Sequence, residues 1–295
     1  MESLTSGWAR MRERTRAAGA LAIFLDYDGT LAPIARHPSK ALLPVSTRHL
    51  LEELSREKNI WVSVVSGRAL REVRRMVGLN RICYVGNHGL EVQGPKLRHI
   101  NPKAQRSRPV LSRIALQLRE ILRPIREAWV EDKGLTLSVH SRGVAPPDRL
   151  LVRNAFYEVV RPYQEKGQVR VTAGKEVFEV RPPVRWTKGT VVSWLLARRM
   201  ALTGPKPVLP VYIGDDLTDE DAFQALGKRG ITVVVGSSNP LSRAQYRAEA
   251  PAEVTLLLKQ ILREWRGKRS VSERGADRAG RGDERRARRH VARRV

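Results

Sequence analysis

An α/β protein with a doubly wound, Rossmann-like parallel sheet and an inserted α+β module is the fold this sequence predicts. Three observations predict it. Short β-rich runs of four to six residues alternate with segments of helical periodicity, as in chained βαβ units. Several of these runs stop at polar loops. The alternation is interrupted between about residues 102 and 182, where two longer helical patterns and a closely spaced pair of strands take over.

The elements follow in order. Within residues 1–20, Trp8–Ala18 is compatible with a peripheral helix. Leu21–Leu25 reads as a buried first strand that breaks into Asp26-Tyr27-Asp28-Gly29-Thr30. Pro44–Arg56 carries Val45, Leu50, Leu51 and Leu54 on one helical face. Ile60–Val65 is a second strand, closed by Ser66-Gly67-Arg68. A helix over Ala69–Val77 and a strand over Ile82–Val85 lead to Gly86-Asn87-His88-Gly89. The interrupting module reads as a helix over Val110–Trp129, a strand over Leu135–His140, a helix over Pro147–Tyr163, and strands over Val169–Thr172 and Val177–Val180. The first pattern then resumes with a helix at Lys188–Met200, a strand at Val208–Ile213, the acidic loop from Gly214, a helix at Asp221–Leu226, a strand at Ile231–Val235 and a helix at Ala252–Trp265. The domains so predicted are an N-terminal helix in 1–20, a core made of 21–101 and 183–266, an insertion over 102–182, and a tail over 267–295. That tail is rich in Arg, Gly and acidic residues and lacks the apolar side chains needed to offset the entropy of ordering it.

Composition narrows the function classes. The chain has 295 residues, 41% of them hydrophobic and 29% charged, which allows a substantial core. Cys83 is its single cysteine, so an intramolecular disulfide and a thiolate metal cage are both excluded. The longest early apolar run is too short to span a bilayer, and a cytoplasmic location is expected. The net charge is +25, which would attract phosphates or polyanions. Residues 263–295 hold 13 Lys and Arg against 5 Asp and Glu, so the tail exaggerates this excess without creating it.

The chemistry concentrates at strand ends. Asp26 and Asp28, two apart at the end of a buried strand, can face one substrate. One carboxylate can attack phosphorus while its neighbour moves protons, and phosphoryl transfer also needs positive charge nearby. The plainer reading is an Asp-Gly surface turn. Asp215, Asp216, Asp219 and Glu220 form a second cluster; helix capping would explain one or two of these acids, and a hard cation with oxygen ligands, Mg2+ above all, would explain the group. Ser66, Gly67 and Arg68 offer a hydroxyl, an open backbone and a guanidinium suited to phosphate, or else an ordinary strand-to-helix turn. Lys188 would neutralise an attacking carboxylate and a phosphate oxygen, or lie solvated on a helix surface.

In this order, the Asp26-Tyr27-Asp28-Gly29-Thr30 loop, Ser66, Lys188 and Gly214-Asp215-Asp216 resemble the haloacid dehalogenase superfamily of phosphotransferases. The resemblance covers most of residues 21–262. The insertion before Lys188 resembles that superfamily's larger α/β cap. Gly86-Asn87-His88-Gly89-Leu90-Glu91, Lys175, Glu179-Val180-Arg181-Pro182 and Gly214-Asp215-Asp216-Leu217-Thr218-Asp219-Glu220-Asp221 resemble the capped sugar-phosphatase branch whose members dephosphorylate trehalose 6-phosphate in trehalose biosynthesis. The resemblance implies Asp26 as nucleophile and metal ligand, Asp28 as acid/base and backbone-carbonyl ligand, and Asp215 as third ligand of Mg2+. Asp216 and Asp219 would steady that shell. Ser66, Gly67 and Lys188 would grip the phosphoryl group, and Arg68 the phosphate or the adjoining sugar. Arg142, Lys175 and Glu179 would bind sugar hydroxyls, and Asn87 and His88 would face the cleft unless His88 is a hydrogen-bonded structural residue.

The implied partner is thus a phosphorylated disaccharide; no membrane partner is expected, and the oligomeric state is left open with a monomer favoured. Two rival readings remain. One is a capped phosphatase for another phosphosugar, such as sucrose phosphate or a mannosyl-glycerate phosphate. The other is a polyanion-binding protein on the same fold, although no nucleic-acid module accompanies the basic tail.

Overall fold

The computed structural model describes residues 1–35, 37–174, 176–204, 206–236 and 241–268. In chain order the elements are β1 (Glu2–Ser3), α1 (Leu4–Ala17), β2 (Ala20–Asp26), α2 (Val45–Arg56), β3 (Ile60–Val65), α3 (Leu70–Val77), β4 (Cys83–Gly86), β5 (Glu91–Gly94), β6 (Leu97–Ile100), α4 (Pro102–Arg106) and α5 (Arg108–Leu122). They continue with β7 (Trp129–Asp132), β8 (Leu137–His140), α6 (Arg149–Glu165), β9 (Arg170–Gly174), β10 (Val177–Arg181), α7 (Lys188–Thr203), β11 (Val208–Gly214), α8 (Glu220–Leu226), β12 (Ile231–Val235) and β13 (Tyr246–Ala248). A last helix, α9, covers 251–268. The expected tail therefore begins inside α9, and from residue 269 onward it lies outside the described residues.

Among the described residues the strands make two sheets. The larger runs β1-β13-β12-β11-β2-β3-β4-β5-β6, parallel from β1 to β4 and antiparallel beyond. The core is thus a mixed sheet, because the β5–β6 hairpin adds an antiparallel edge that its half-buried, polar-rich strands do not announce in sequence. Every residue of β2 is buried, as expected for a central strand covered on both faces. Its side chains divide by parity. Leu21, Ile23 and Leu25 join a core with α2, α3 and α9, whereas Ala22 and Phe24 join one with α7 and α8. Helix α9 brings Val254, Leu257, Leu258, Ile261, Leu262 and Trp265 into the first of these cores, and each fully buried Leu or Ile contributes roughly 1.5–3 kcal/mol.

The smaller sheet, β7-β8-β10-β9, is antiparallel throughout. One face packs on α5 and α6 through Leu118, Leu122, Val139, Phe156, Val160 and Val180, a core of its own. Here one sequence-based element differs. The helix expected to reach Trp129 ends at Leu122, and Trp129 starts β7. Pro124 follows at once and cannot supply the N–H that would prolong the helix, while Trp129 and Val130 favour a strand.

Register explains where a site can form. Leu25 pairs with Ile213, and Asp26 with Val65, so β11, β2 and β3 end at one level. The chain proceeds from β2 to β3 on one side and later places β11 on the other, which opens a crevice beyond the strand ends at the point where strand order reverses. Among the described residues, no helix is long and apolar enough to cross a membrane.

Candidate active site

Three strand ends supply the floor of this crevice. Asp26 is the last residue of β2 and is 5% exposed. Lys188, the first residue of α7, is 3% exposed and donates to Asp26 Oδ1 and to Asp219 Oδ1, both at 2.7 Å. Asp219 also accepts from the Tyr212 hydroxyl at 2.6 Å and, through Oδ2, from the Asp216 backbone N–H at 3.0 Å. Asp215 accepts from the Thr30 hydroxyl at 3.3 Å. Its carboxylate presses against Gly29, where an added Cβ would lie 2.0 Å from Oδ2 at a φ of +76°. Only glycine fits there.

Charge on this floor is uneven. Asp26, Asp215 and Asp219 place carboxylate oxygens within 4.8 Å of one another, and a single ammonium lies among them. Burial, followed by the neighbouring acids, pushes the Asp215 carboxyl up to about 7. Burial likewise holds Asp26 well above the usual carboxylate range, although Lys188 opposes the shift. Burial disfavours the Lys188 ammonium, but Asp219 and Asp26 outweigh it and keep the group charged. Three hard oxygen donors in surplus over one cation, with Asp215 fitted into a cradle that no Cβ could share, suit a divalent metal.

Asp28 sits on the rim, with its side chain 40% exposed. Both its oxygens accept from Arg68 at 2.7 Å. Arg68 is therefore turned toward Asp28 and Glu72. Ser66 is buried, and its hydroxyl accepts from the Arg68 backbone N–H at 3.1 Å. Gly67 lies under the His88 ring, where an added Cβ would come within 2.5 Å of Cε1. Asp216 is exposed and accepts from the Leu217 N–H at 2.6 Å, part of a capping box with Asp219 at the turn before α8.

The remaining residues lie where the two sheets meet. Asn87 and His88 both adopt left-handed backbone, with φ of 48° and 56°, a conformation costly for residues other than glycine and held here by its contacts. Asn87 is fully buried, donates to the Lys133 carbonyl at 3.2 Å and accepts from the Thr136 hydroxyl at 2.7 Å. His88 Nε2 lies 3.0 Å from both Glu179 Oε1 and Arg181 Nη2, while its Nδ1 is buried and has no hydrogen-bond partner among the described residues. Glu179 further accepts from Lys133 Nζ at 3.2 Å and pairs with Arg181. Burial opposes the Glu179 charge, yet His88, Lys133 and Arg181 together hold its carboxyl well below the usual range. Burial lowers His88. Arg142 is half-exposed and reaches the Ala35 carbonyl at 3.2 Å and Glu176 at 3.4 Å. Lys175 lies outside the described residues.

The sequence gives no local signal for Lys133 or Tyr212, and Arg181 stands out only within the Glu179-Val180-Arg181-Pro182 phrase, without a role of its own. Lys133 belongs to the Lys-Gly turn between β7 and β8, and its neighbour Glu179 lies 46 positions away. Such a pair leaves no local signal. Cys83 is buried, and burial pushes its thiol up to about 11.

With this geometry established, comparison with known proteins is informative. The trehalose-phosphatase family model matches residues 24–252. A trehalose-phosphate phosphatase of Mycobacterium tuberculosis is 36% identical over 249 residues, spanning 83% of this chain and 62% of that protein. The chain thus spans less than two thirds of the length of that relative. A probable trehalose-phosphate phosphatase G of Arabidopsis thaliana is 33% identical over 265 residues, covering 82% of this chain and 69% of the other. Among solved structures, a trehalose-6-phosphate phosphatase related protein superposes with a TM-score of 0.70 at 26% identity, over 82% of this chain and 96% of that one.

Proposed function

The chain belongs to the trehalose-phosphatase family, and on that premise we propose that it hydrolyses trehalose 6-phosphate to trehalose and phosphate in a Mg2+-dependent reaction through an aspartyl-phosphate. The observation that carries this reading is the buried Asp26–Lys188–Asp219 chain at the end of β2, with Asp215 beside it.

Asp26 attacks phosphorus through a carboxylate oxygen. The bond to the sugar oxygen breaks, and that oxygen leaves with its electron pair and takes a proton from the Asp28 carboxyl. In the second half, a water oxygen bonds to phosphorus as it yields a proton to Asp28, and the bond to Asp26 breaks to free phosphate. Lys188 offsets charge on Asp26 and on a phosphoryl oxygen, and the Ser66 hydroxyl and Gly67 N–H orient that group. Asp219, with Tyr212, fixes the lysine. Asp26, Asp215 and the Asp28 backbone carbonyl are the residues that would hold Mg2+, which when bound offsets the negative charge of the phosphate and its attacker.

Residues 102–182 serve as the cap. Glu179 and Arg142 of this module, with Lys175 outside the described residues, are the groups offered to a disaccharide, which is read through many directional hydrogen bonds. Asn87 and His88 from the core adjoin these groups, His88 through Glu179 and Asn87 through the Lys133 carbonyl. Closing it excludes bulk water from the reacting centre.

The test is phosphate release from a panel of sugar phosphates with Mg2+, beside an Asp26→Asn control. The reading predicts marked preference for trehalose 6-phosphate and no turnover by the control. Equal turnover of many monosaccharide phosphates would remove the substrate assignment, and equal release by the control would remove the mechanism.

A further inference from the structure

Arg68 is the most heavily committed cation near the crevice. Nε donates to Asp28 Oδ2 and Nη2 to Asp28 Oδ1, each at 2.7 Å, a side-on bidentate pair. Nη1 donates to Glu72 Oε1 at 2.5 Å, one helical turn onward, and Nη2 also reaches the Pro38 carbonyl at 2.8 Å. These contacts use four of the five N–H groups a guanidinium carries. The guanidinium carbon also lies 5.5 Å from the centre of the Tyr27 ring. The arginine side chain is 7% exposed, against 40% for Asp28. The buried partner is therefore the arginine, anchored from behind, and the carboxylate on the rim is what it holds. A phosphate arriving from the cleft would find one N–H left.

We propose that Arg68 is the positioning residue for Asp28, fixing the plane of the carboxyl that exchanges protons with the ester and water oxygens, and that it does not grip the phosphate or sugar. The inference rests on the phosphatase reading given above. In the first half-reaction the phosphorus–oxygen bond breaks, the electron pair goes to the sugar oxygen, and a proton passes to it from Asp28. The carboxylate so formed is the species that Arg68 clasps in this structure. Held side-on, it awaits the proton released as water attacks the aspartyl-phosphate. The Pro38 carbonyl that steadies Arg68 adjoins His37, whose ring stacks on cap residue Trp129 at 5.3 Å, and Arg142 bonds the nearby Ala35 carbonyl. The segment that anchors Arg68 is thus touched by the cap.

The test compares two esters of one sugar in single turnover with the full chain and Mg2+: trehalose 6-phosphate and its analogue with sulfur as the bridging atom. An alkoxide leaving group needs a proton as it departs, whereas a thiolate does not. Arg68→Ala should slow release of trehalose by roughly 100-fold or more, the scale of general acid catalysis. It should slow the sulfur ester at least tenfold less, with KM for either shifting by under about threefold. Arg68→Lys, which keeps charge but loses the fork, should fall between. Equal losses on both esters, or a rise in KM at constant kcat, would overturn the proposal. Arg68→Lys and Glu72→Gln carry the same ratio should Arg68→Ala fail to fold. Wild-type protein releasing neither sugar would instead overturn the phosphatase reading itself.

Discussion

The floor of the crevice and the seam between the two sheets are both buried and charged, yet they are built on opposite principles. On the floor, three carboxylates share one lysine, and Asp215 is pushed up to about 7. At the seam, Glu179 is met by Lys133, Arg181 and His88, which hold its carboxyl well below the usual range. A buried charge without sufficient partners is costly, whereas a paired one holds elements in register. The floor is therefore short of positive charge, whereas at the seam the Glu179 charge is met by its neighbours. On the reading proposed above the reaction takes place at the first, while the second joins the two sheets.

The contrast can be broken most severely at Lys188. Lys188→Met removes the ammonium that, among the described residues, alone sits with the three acids, and should cut phosphate release by roughly 100- to 1,000-fold, the scale of losing one electrostatic donor in an active site. An effect under about threefold would mean that the lysine is merely structural. Next in size is the metal. Mg2+ at a hundred times its dissociation constant should raise stability by about 2.7 kcal/mol. Asp215→Asn should remove most of that gain, as read by thermal melts with and without the ion; an undiminished gain would place the ion elsewhere.

At the seam the expected effect lies in stability and its pH dependence. Glu179 has a depressed carboxyl, so its contribution is present above the ordinary glutamate value and is lost as pH falls through its folded value. In that window the unfolded chain binds more protons, and stability rises with pH. Glu179→Gln should cost about 3 kcal/mol at pH 7 and flatten the acid limb of urea unfolding below about pH 4.5. An unchanged acid limb would show that the seam carries little of the linkage. The smallest effect belongs to Asp216, whose side chain caps a helix start in solvent. Asp216→Ala should cost about 1 kcal/mol, and Asp216→Asn, which retains the capping oxygen, a few tenths. Equal losses in both would point to a role for its charge.

The two regions were also unequally legible in the sequence. Asp26, Lys188 and the Asp215–Asp219 loop all terminate or adjoin long buried elements whose apolar runs are unmistakable, and β3 and β12 have the bounds read from those runs. The seam takes Lys133 from the turn after β7, a short strand, and short strands elsewhere carry equally little signal. β1, β5, β6, β7 and β13 hold two to four residues each, several of them half-exposed, and tertiary pairing rather than local pattern decides that they are strands. Trp129 was assigned to a helix for that reason. Arg68 shows the same limit in chemistry. Its type suggested a phosphate grip, but its choice of Asp28, 40 positions away, depends on how β2 and β3 come together.

The central claim is that Asp26 carries the phosphoryl group. The direct measurement is rapid acid quench of the full chain during turnover of radiolabelled trehalose 6-phosphate with Mg2+, followed by mapping of the label. The account predicts acid-stable, base-labile phosphate on the peptide containing Asp26 and none in Asp26→Asn. Turnover without label on that peptide, or label that persists in the Asp26→Asn variant, would contradict it.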